Sequence, residues 1–139
     1  MELTRRDAFA LGAGAAALVF MPRLAWADDT QAAIDAFTGG ADVADGGIDL
    51  TTPEIAENGN TVPVEVAAEG AASIMILAAG NPNPGVATFH FGKLAASSGA
   101  KTRIRLAGTQ DVVAIAKMAD GSFARAQKAV KVTIGGCGG

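Results

Sequence analysis

Val62, Val64 and Val66 alternate with Pro63 and Glu65, and Val130, Val132 and Ile134 alternate with Lys131 and Thr133. A period of two sends successive side chains to opposite faces of a strand, so each run predicts one face toward a core and one toward water. Ile48 and Leu50 around Asp49, Phe89 and Phe91 around His90, and Ile104 and Leu106 around Arg105 repeat the pattern. After Ser73 the chain stays apolar to Ala79, as expected for a strand covered on both faces. Further runs over 112–118 and 123–134 complete the set. Turn signals separate these runs: Glu57-Asn58-Gly59-Asn60, Asn81-Pro82-Asn83-Pro84-Gly85 and Asp120-Gly121. About seven short strands with turns at intervals of roughly 8–12 residues predict a mainly β fold, an immunoglobulin-like antiparallel β-sandwich. Pro63 has no N–H to give a ladder, so its strand is expected at a sheet edge or to start irregularly there.

Residues 28–38 carry a different period and predict one short N-terminal helix. Asp28, Asp29 and Thr30 offer capping oxygens, Ile34 and Phe37 share a face, and Gly39-Gly40 stops it. Residues 1–27 read as an export signal of the twin-arginine type. Arg5 and Arg6 precede an uncharged apolar run, and Ala25-Trp26-Ala27 supplies a small-x-small cleavage site. The aromatic Phe9 falls three residues after the arginine pair, where that signal has it two after. The apolar run is shorter than the ~20 residues a membrane span requires. The expected organisation is therefore a cleaved signal over 1–27, an immunoglobulin-like domain over 28–134 and an arm over 135–139, with the protein exported to the periplasm.

Loss of the signal removes Arg5, Arg6, Arg23, Glu2 and Asp7 from 11 basic and 14 acidic residues, leaving 8 and 12, a net charge of −4. That balance offers no basic patch for nucleic acid. Arg103 and Arg105 alternate along one strand and read as a solvated face. The mature chain keeps four phenylalanines and no tyrosine, so its core rests on Val, Ile, Leu, Met and Ala. A core of small side chains is thin, and a partner subunit covering one face would support it.

The candidate chemistry lies at the end of the chain. Cys137 is the only cysteine, flanked by Gly135 and Gly136 on one side and Gly138 and Gly139 on the other. It cannot pair internally, so it implies an intermolecular bond or a free reactive thiol. Glycine has the widest conformational freedom and chain ends are mobile unless tied down. The segment is therefore expected to be a thin, flexible arm anchored at Ile134, its thiol reaching roughly 10 Å beyond the sheet. An unperturbed thiol, with a pKa near ~8.5, is only slightly ionised at neutral pH, so activation has to come from whatever receives the arm.

Nothing else in the chain supplies a catalyst. His90 is the only imidazole and has no acidic neighbour in its strand, which favours an edge or interface role over a base. One cysteine and one histidine do not make a zinc site. Asp42, Asp45 and Asp49 lack a calcium-loop pattern and read as a solvated turn. No cofactor and no metal are expected. The chemistry is that of a carrier, in which this chain holds an intermediate and other proteins transform it.

A C-terminal Gly-Gly-Cys-Gly-Gly on an exported, mostly β chain resembles the SoxY family, the sulfur-carrier subunits of the Sox thiosulfate-oxidising system. Residues 53–64, Pro-Glu-Ile-Ala-Glu-Asn-Gly-Asn-Thr-Val-Pro-Val, resemble that family's signature segment. The resemblance covers the whole chain and departs only at Phe9. It implies that Cys137 is the covalent attachment site for thiosulfate and its oxidation products. It implies three enzymes as partners: a c-type cytochrome, a dimanganese hydrolase and a molybdenum sulfane dehydrogenase. It also implies a heterodimer with a small β subunit of the SoxZ type, which would leave the cell on this chain's signal.

Two other readings use the same residues. Ubiquitin-like sulfur carriers end in Gly-Gly and hold sulfur as a terminal thiocarboxylate, which needs ATP and would depend on Gly139. A passive interaction module tethered through a Cys137 disulfide would show no turnover of the adduct.

Overall fold

The computed structural model describes residues 22–136. One helix, α1 (Pro22–Thr38), precedes nine strands. In chain order these are β1 (Val43–Asp45), β2 (Asp49–Thr51), β3 (Ile55–Asn58), β4 (Val62–Ala67), β5 (Ala71–Ala78), β6 (Gly85–His90), β7 (Gly99–Ile104), β8 (Gln110–Met118) and β9 (Phe123–Ile134). They form a sandwich. Six strands make the larger sheet in the order β1-β9-β8-β5-β6, with β3 also on β9, and β2-β4-β7 make the smaller.

The continuous apolar run in β5 is explained by two separate cores. Ile74, Ile76 and Ala78 point between the sheets with Val62, Val64, Val66, Leu106, Val112 and Val130. Met75 and Leu77 point the other way and meet α1, together with Val113, Ile115 and Phe123. On the helix Ile34 is buried, and Phe37 meets Phe123 edge to face with ring centroids 6.0 Å apart. Burial on both faces removes the alternation that a half-exposed strand shows. The helix ends as expected: Gly39 and Gly40 take φ of 67° and 81°, and the Gly40 amide donates to Asp35 O at 3.2 Å. That 6→1 bond caps an orphan carbonyl. Its other end differs from expectation. The helix is already formed at Pro22, because proline suits a first turn and Arg23, Leu24 and Ala25 are good helix formers.

Three further features depart from the sequence reading. The described residues form nine strands, because β1 and β3 are only three and four residues long and show no alternation. The sandwich is not wholly antiparallel: β1 and β3 both run parallel to β9, along its N-terminal and C-terminal halves. Between them the chain crosses to the smaller sheet as β2, so both short strands return in the same direction. β4, with Pro63, is the middle strand of its sheet, not an edge. β2 covers only residues 65–67 of β4, however, so at Pro63 just the β7 side is paired. The missing N–H therefore costs the sheet little at that position.

Candidate functional site

Cys137, Gly138 and Gly139 lie outside the described residues, so the site is defined by what leads into them. β9 carries the chain to one end of the sandwich, where the Gly59–Asn60 turn and the segment between β7 and β8 also lie. Here three backbone hydrogen bonds interlock. The Gly59 amide donates to Ile134 O at 2.7 Å, the Leu106 amide to Gly59 O at 2.7 Å, and the Gly136 amide to Leu106 O at 2.8 Å. Gly59 is buried. A Cβ placed on it would overlap Leu106 O and stand 2.7 Å from Gly136 N and 2.9 Å from Val132 Cγ1. A Cβ on Gly135 would overlap Ala107 O, and one on Gly136 would lie 2.8 Å from Gly59 O. Only glycine allows three backbone segments to approach this closely.

Gly135 and Gly136, expected as the first links of the arm, lie close against Ala107, Gly59 and Leu106 where they leave the strand. Their glycine identity meets a need for space, which composition alone does not distinguish from a need for freedom.

The receiving segment is itself held by a buried amide. Asn81, 3% exposed, donates from Nδ2 to Arg105 O at 2.8 Å, and its Oδ1 accepts from the Ala107 amide at 2.9 Å. Gln110 Nε2 donates to the same Oδ1 at 2.8 Å and to Gly108 O at 3.1 Å, while Gln110 Oε1 accepts from the Gly80 amide at 2.8 Å. Thr109 Oγ1 accepts from the Val132 amide at 3.0 Å, which ties the same segment to β9. No buried side-chain polar atom among the described residues lacks a partner. A fully satisfied buried network rigidifies its surroundings. Sequence reading took Gly59 and Asn81 as ordinary turn residues and passed over Gln110. The one available signal was that Gly59 falls inside the signature-like segment 53–64.

His90 is exposed on edge strand β6 and is remote from this end. It registers with Ser73, Ser73 with Lys117, and Lys117 with Phe123, the first residue of β9. Ile134 is eleven residues further along, roughly 35 Å at ~3.3 Å per residue. The fold does not bring the imidazole to the end where Cys137 follows. Arg103 and Arg105 are exposed, as are Asp42, Asp45 and Asp49, and no metal-binding cluster occurs among the described residues. Clefts of about 540 and 630 Å³ flank β4 and β7. They hold the Glu65–Lys101 ion pair at 3.0 Å, and among the described residues neither is lined by a histidine. Among the described residues no helix is long and apolar enough to cross a membrane.

Fold and site together define a class: a β-sandwich whose final strand is held out to its last described residue at one end, immediately before a single cysteine. The comparisons specify it further. The profile of the sulfur oxidation protein SoxY matches residues 34–137, and the chain belongs to that family. The solved structure of the sulfur carrier protein SoxY from Chlorobium limicola f thiosulfatophilum is 36% identical, with a TM-score of 0.67. The match covers 78% of this chain and 99% of that one. A superoxide reductase (neelaredoxin) from Ignicoccus hospitalis superposes with a TM-score of 0.55 at 19% identity, covering 63% of this chain and 80% of that one, and shares the fold alone. None of the curated proteins compared with the chain matches it. The family places the chain in sulfur oxidation, in a carrier role.

Proposed function

We propose that the protein is a covalent carrier of sulfur intermediates in thiosulfate oxidation, with Cys137 as the attachment site. The observation that carries this reading is that the SoxY match runs through residue 137, the position directly after the seated Gly136. In the loading step the Cys137 sulfur bonds to the outer sulfur of thiosulfate. The thiol proton is released and two electrons pass to a c-type cytochrome. A dimanganese hydrolase then adds water to the terminal sulfonate sulfur, so that sulfate leaves and a persulfide stays on Cys137. A sulfane dehydrogenase then oxidises the outer persulfide sulfur to a sulfonate, with water supplying the oxygens, protons released and the electrons passing to a c-type cytochrome, and a second hydrolysis releases it as sulfate. His90 lies at the wrong end of the sandwich to serve as a general base for these steps.

In this reading the protein works in the periplasm after twin-arginine export, as a heterodimer with a SoxZ-like subunit. Cys137→Ser tests the assignment. The variant is expected to keep the wild-type unfolding midpoint, since residue 137 follows the last strand, and to lose thiosulfate-dependent cytochrome reduction completely. Retained activity would exclude Cys137 as the carrier site, and a lost fold would show that it has a structural role.

A further inference from the structure

We propose that the outer face of the smaller sheet carries a docking groove for an extended acidic segment of a partner protein, built on Pro53, Pro63, Arg103 and Arg105. The groove starts from a broken ladder. The bond from the Ala68 amide to Ser98 O sets the alternation between β4 and β7, so Pro63, Glu65 and Ala67 turn their backbone groups toward β2. β2 meets Ala67 through Asp49 and Glu65 through Thr51. The next rung in that register would set Pro53 against Pro63, and neither has an N–H. β2 accordingly ends at Thr51, and the two proline carbonyls have no donor across that rung.

The cleft of about 540 Å³ lies at this break, with Pro53 and Pro63 in its lining. Its charged lining is Glu65, Lys101 and Arg103. Glu65 and Lys101 pair with each other, which leaves Arg103 uncompensated. Arg105 follows two residues on, about 6.6 Å further along the same face. Among the described residues neither arginine forms an ion pair, and both are exposed. The neighbouring cleft of about 630 Å³ has the opposite balance, with Asp49, Glu65 and Glu69 against Lys101. One sheet face is thus divided into a cationic and an anionic half, in a chain that is acidic overall. A cleft lined by one sign of charge focuses the field and draws in the complementary sign. A segment filling the cationic half has to bring N–H groups to Pro53 O and Pro63 O, as in strand addition at a sheet edge. It also has to bring carboxylates to the two guanidinium groups, where charge-assisted bonds are strong. An extended acidic segment supplies both; a basic or apolar one supplies only the first.

The test is an NMR titration of the mature chain, kept reduced, with an end-blocked hexaglutamate peptide at low ionic strength. Saturable shifts are expected at the amides of Thr51, Thr52, Thr102, Arg103 and Arg105, and none at Gln127 or Lys131 on the larger sheet. An end-blocked hexalysine peptide should leave the same amides unmoved. Binding should be lost at about 1 M salt, where the screening length is about 3 Å. Arg103→Glu and, separately, Arg105→Glu should each weaken the peptide about tenfold or more while the amides of β5 and β8 keep their positions. Pro53→Val restores an N–H opposite Pro63 O and keeps both arginines, so weaker binding by this variant isolates the part played by the broken rung. The proposal is overturned if hexaglutamate moves none of the groove amides, if hexalysine moves them equally, or if both arginine variants bind like the wild type. It is also overturned if dilution of the protein alone shifts the same amides, which would assign the groove to a second copy of this chain. None of these outcomes depends on where sulfur attaches.

Discussion

The two ends of the sandwich use the same residue type for opposite reasons. At the end with the β8–β9 hairpin, Gly70 and Gly121 take φ of 76° and 86°, and a Cβ on either would meet nothing within 4 Å. Those glycines are there for backbone conformation, and space around them is plentiful. At the end where β9 leaves, Gly59, Gly80, Gly135 and Gly136 have no positive φ, yet a Cβ on each would stand under 3.0 Å from a neighbouring atom. These are there for close approach. The β8–β9 hairpin itself is held mainly by local bonds, Met118 with Ser122 and Asp120 with Ser122, besides one long-range bond from the Ala119 amide to Gly70 O at 2.9 Å. The other end is held by bonds between residues 24 or more apart in sequence, such as Asn81 to Arg105 and Gly80 to Gln110. Local bonds shape a turn, whereas long-range bonds fix one segment against another.

The largest effect expected from breaking this contrast is at Asn81. Asn81→Leu leaves Arg105 O, the Ala107 amide and one Gln110 donor without their partner, and should lower unfolding stability by about 3 kcal/mol. Urea unfolding measures it. Gly59→Ala follows, at about 2 kcal/mol, because the added methyl overlaps fixed backbone and not a yielding side chain. Gly121→Ala has open space and only a left-handed conformation to bear, so about 1 kcal/mol is expected. An equal cost at Gly59 and Gly121 would show that space is not what distinguishes the two ends.

The smallest effect concerns pH. Hydrogen bonds from the Ser122 hydroxyl and amide hold the Asp120 carboxyl below its ordinary value of 3.8. A depressed folded pKa adds stability above that ordinary value and loses it as pH falls through the lower folded value. Asp120→Asn should therefore flatten the acid limb of the stability curve slightly, and Asn81→Leu should not. The size is slight because the group is fully exposed.

Much of the fold was legible because burial writes itself into apolar spacing. The alternation at Val62, Val64 and Val66 and the unbroken run after Ser73 both follow from which faces are covered. Strand direction leaves no such mark, so the parallel pairings of β1 and β3 with β9 were invisible. Pro63 was read from its missing N–H alone, and only the register shows that β2 has ended before reaching it. The approach to the site was marked in the sequence by Cys137, the lone thiol among glycines, which itself lies outside the described residues. Its support was not. Asn81 in Asn-Pro-Asn-Pro-Gly carries every sign of an exposed turn, and its burial depends on Arg105, Ala107 and Gln110, all 24 or more residues away.

The central claim is that Cys137 carries sulfur covalently. The most direct measurement is the intact mass of the protein taken without reductant from the periplasm of cells oxidising thiosulfate. The account predicts a mature chain bearing a thiosulfate-derived group or added sulfur atoms, removed by a thiol reductant and absent from Cys137→Ser. A bare thiol or a plain disulfide dimer under the same conditions would contradict it and leave a passive tethered module.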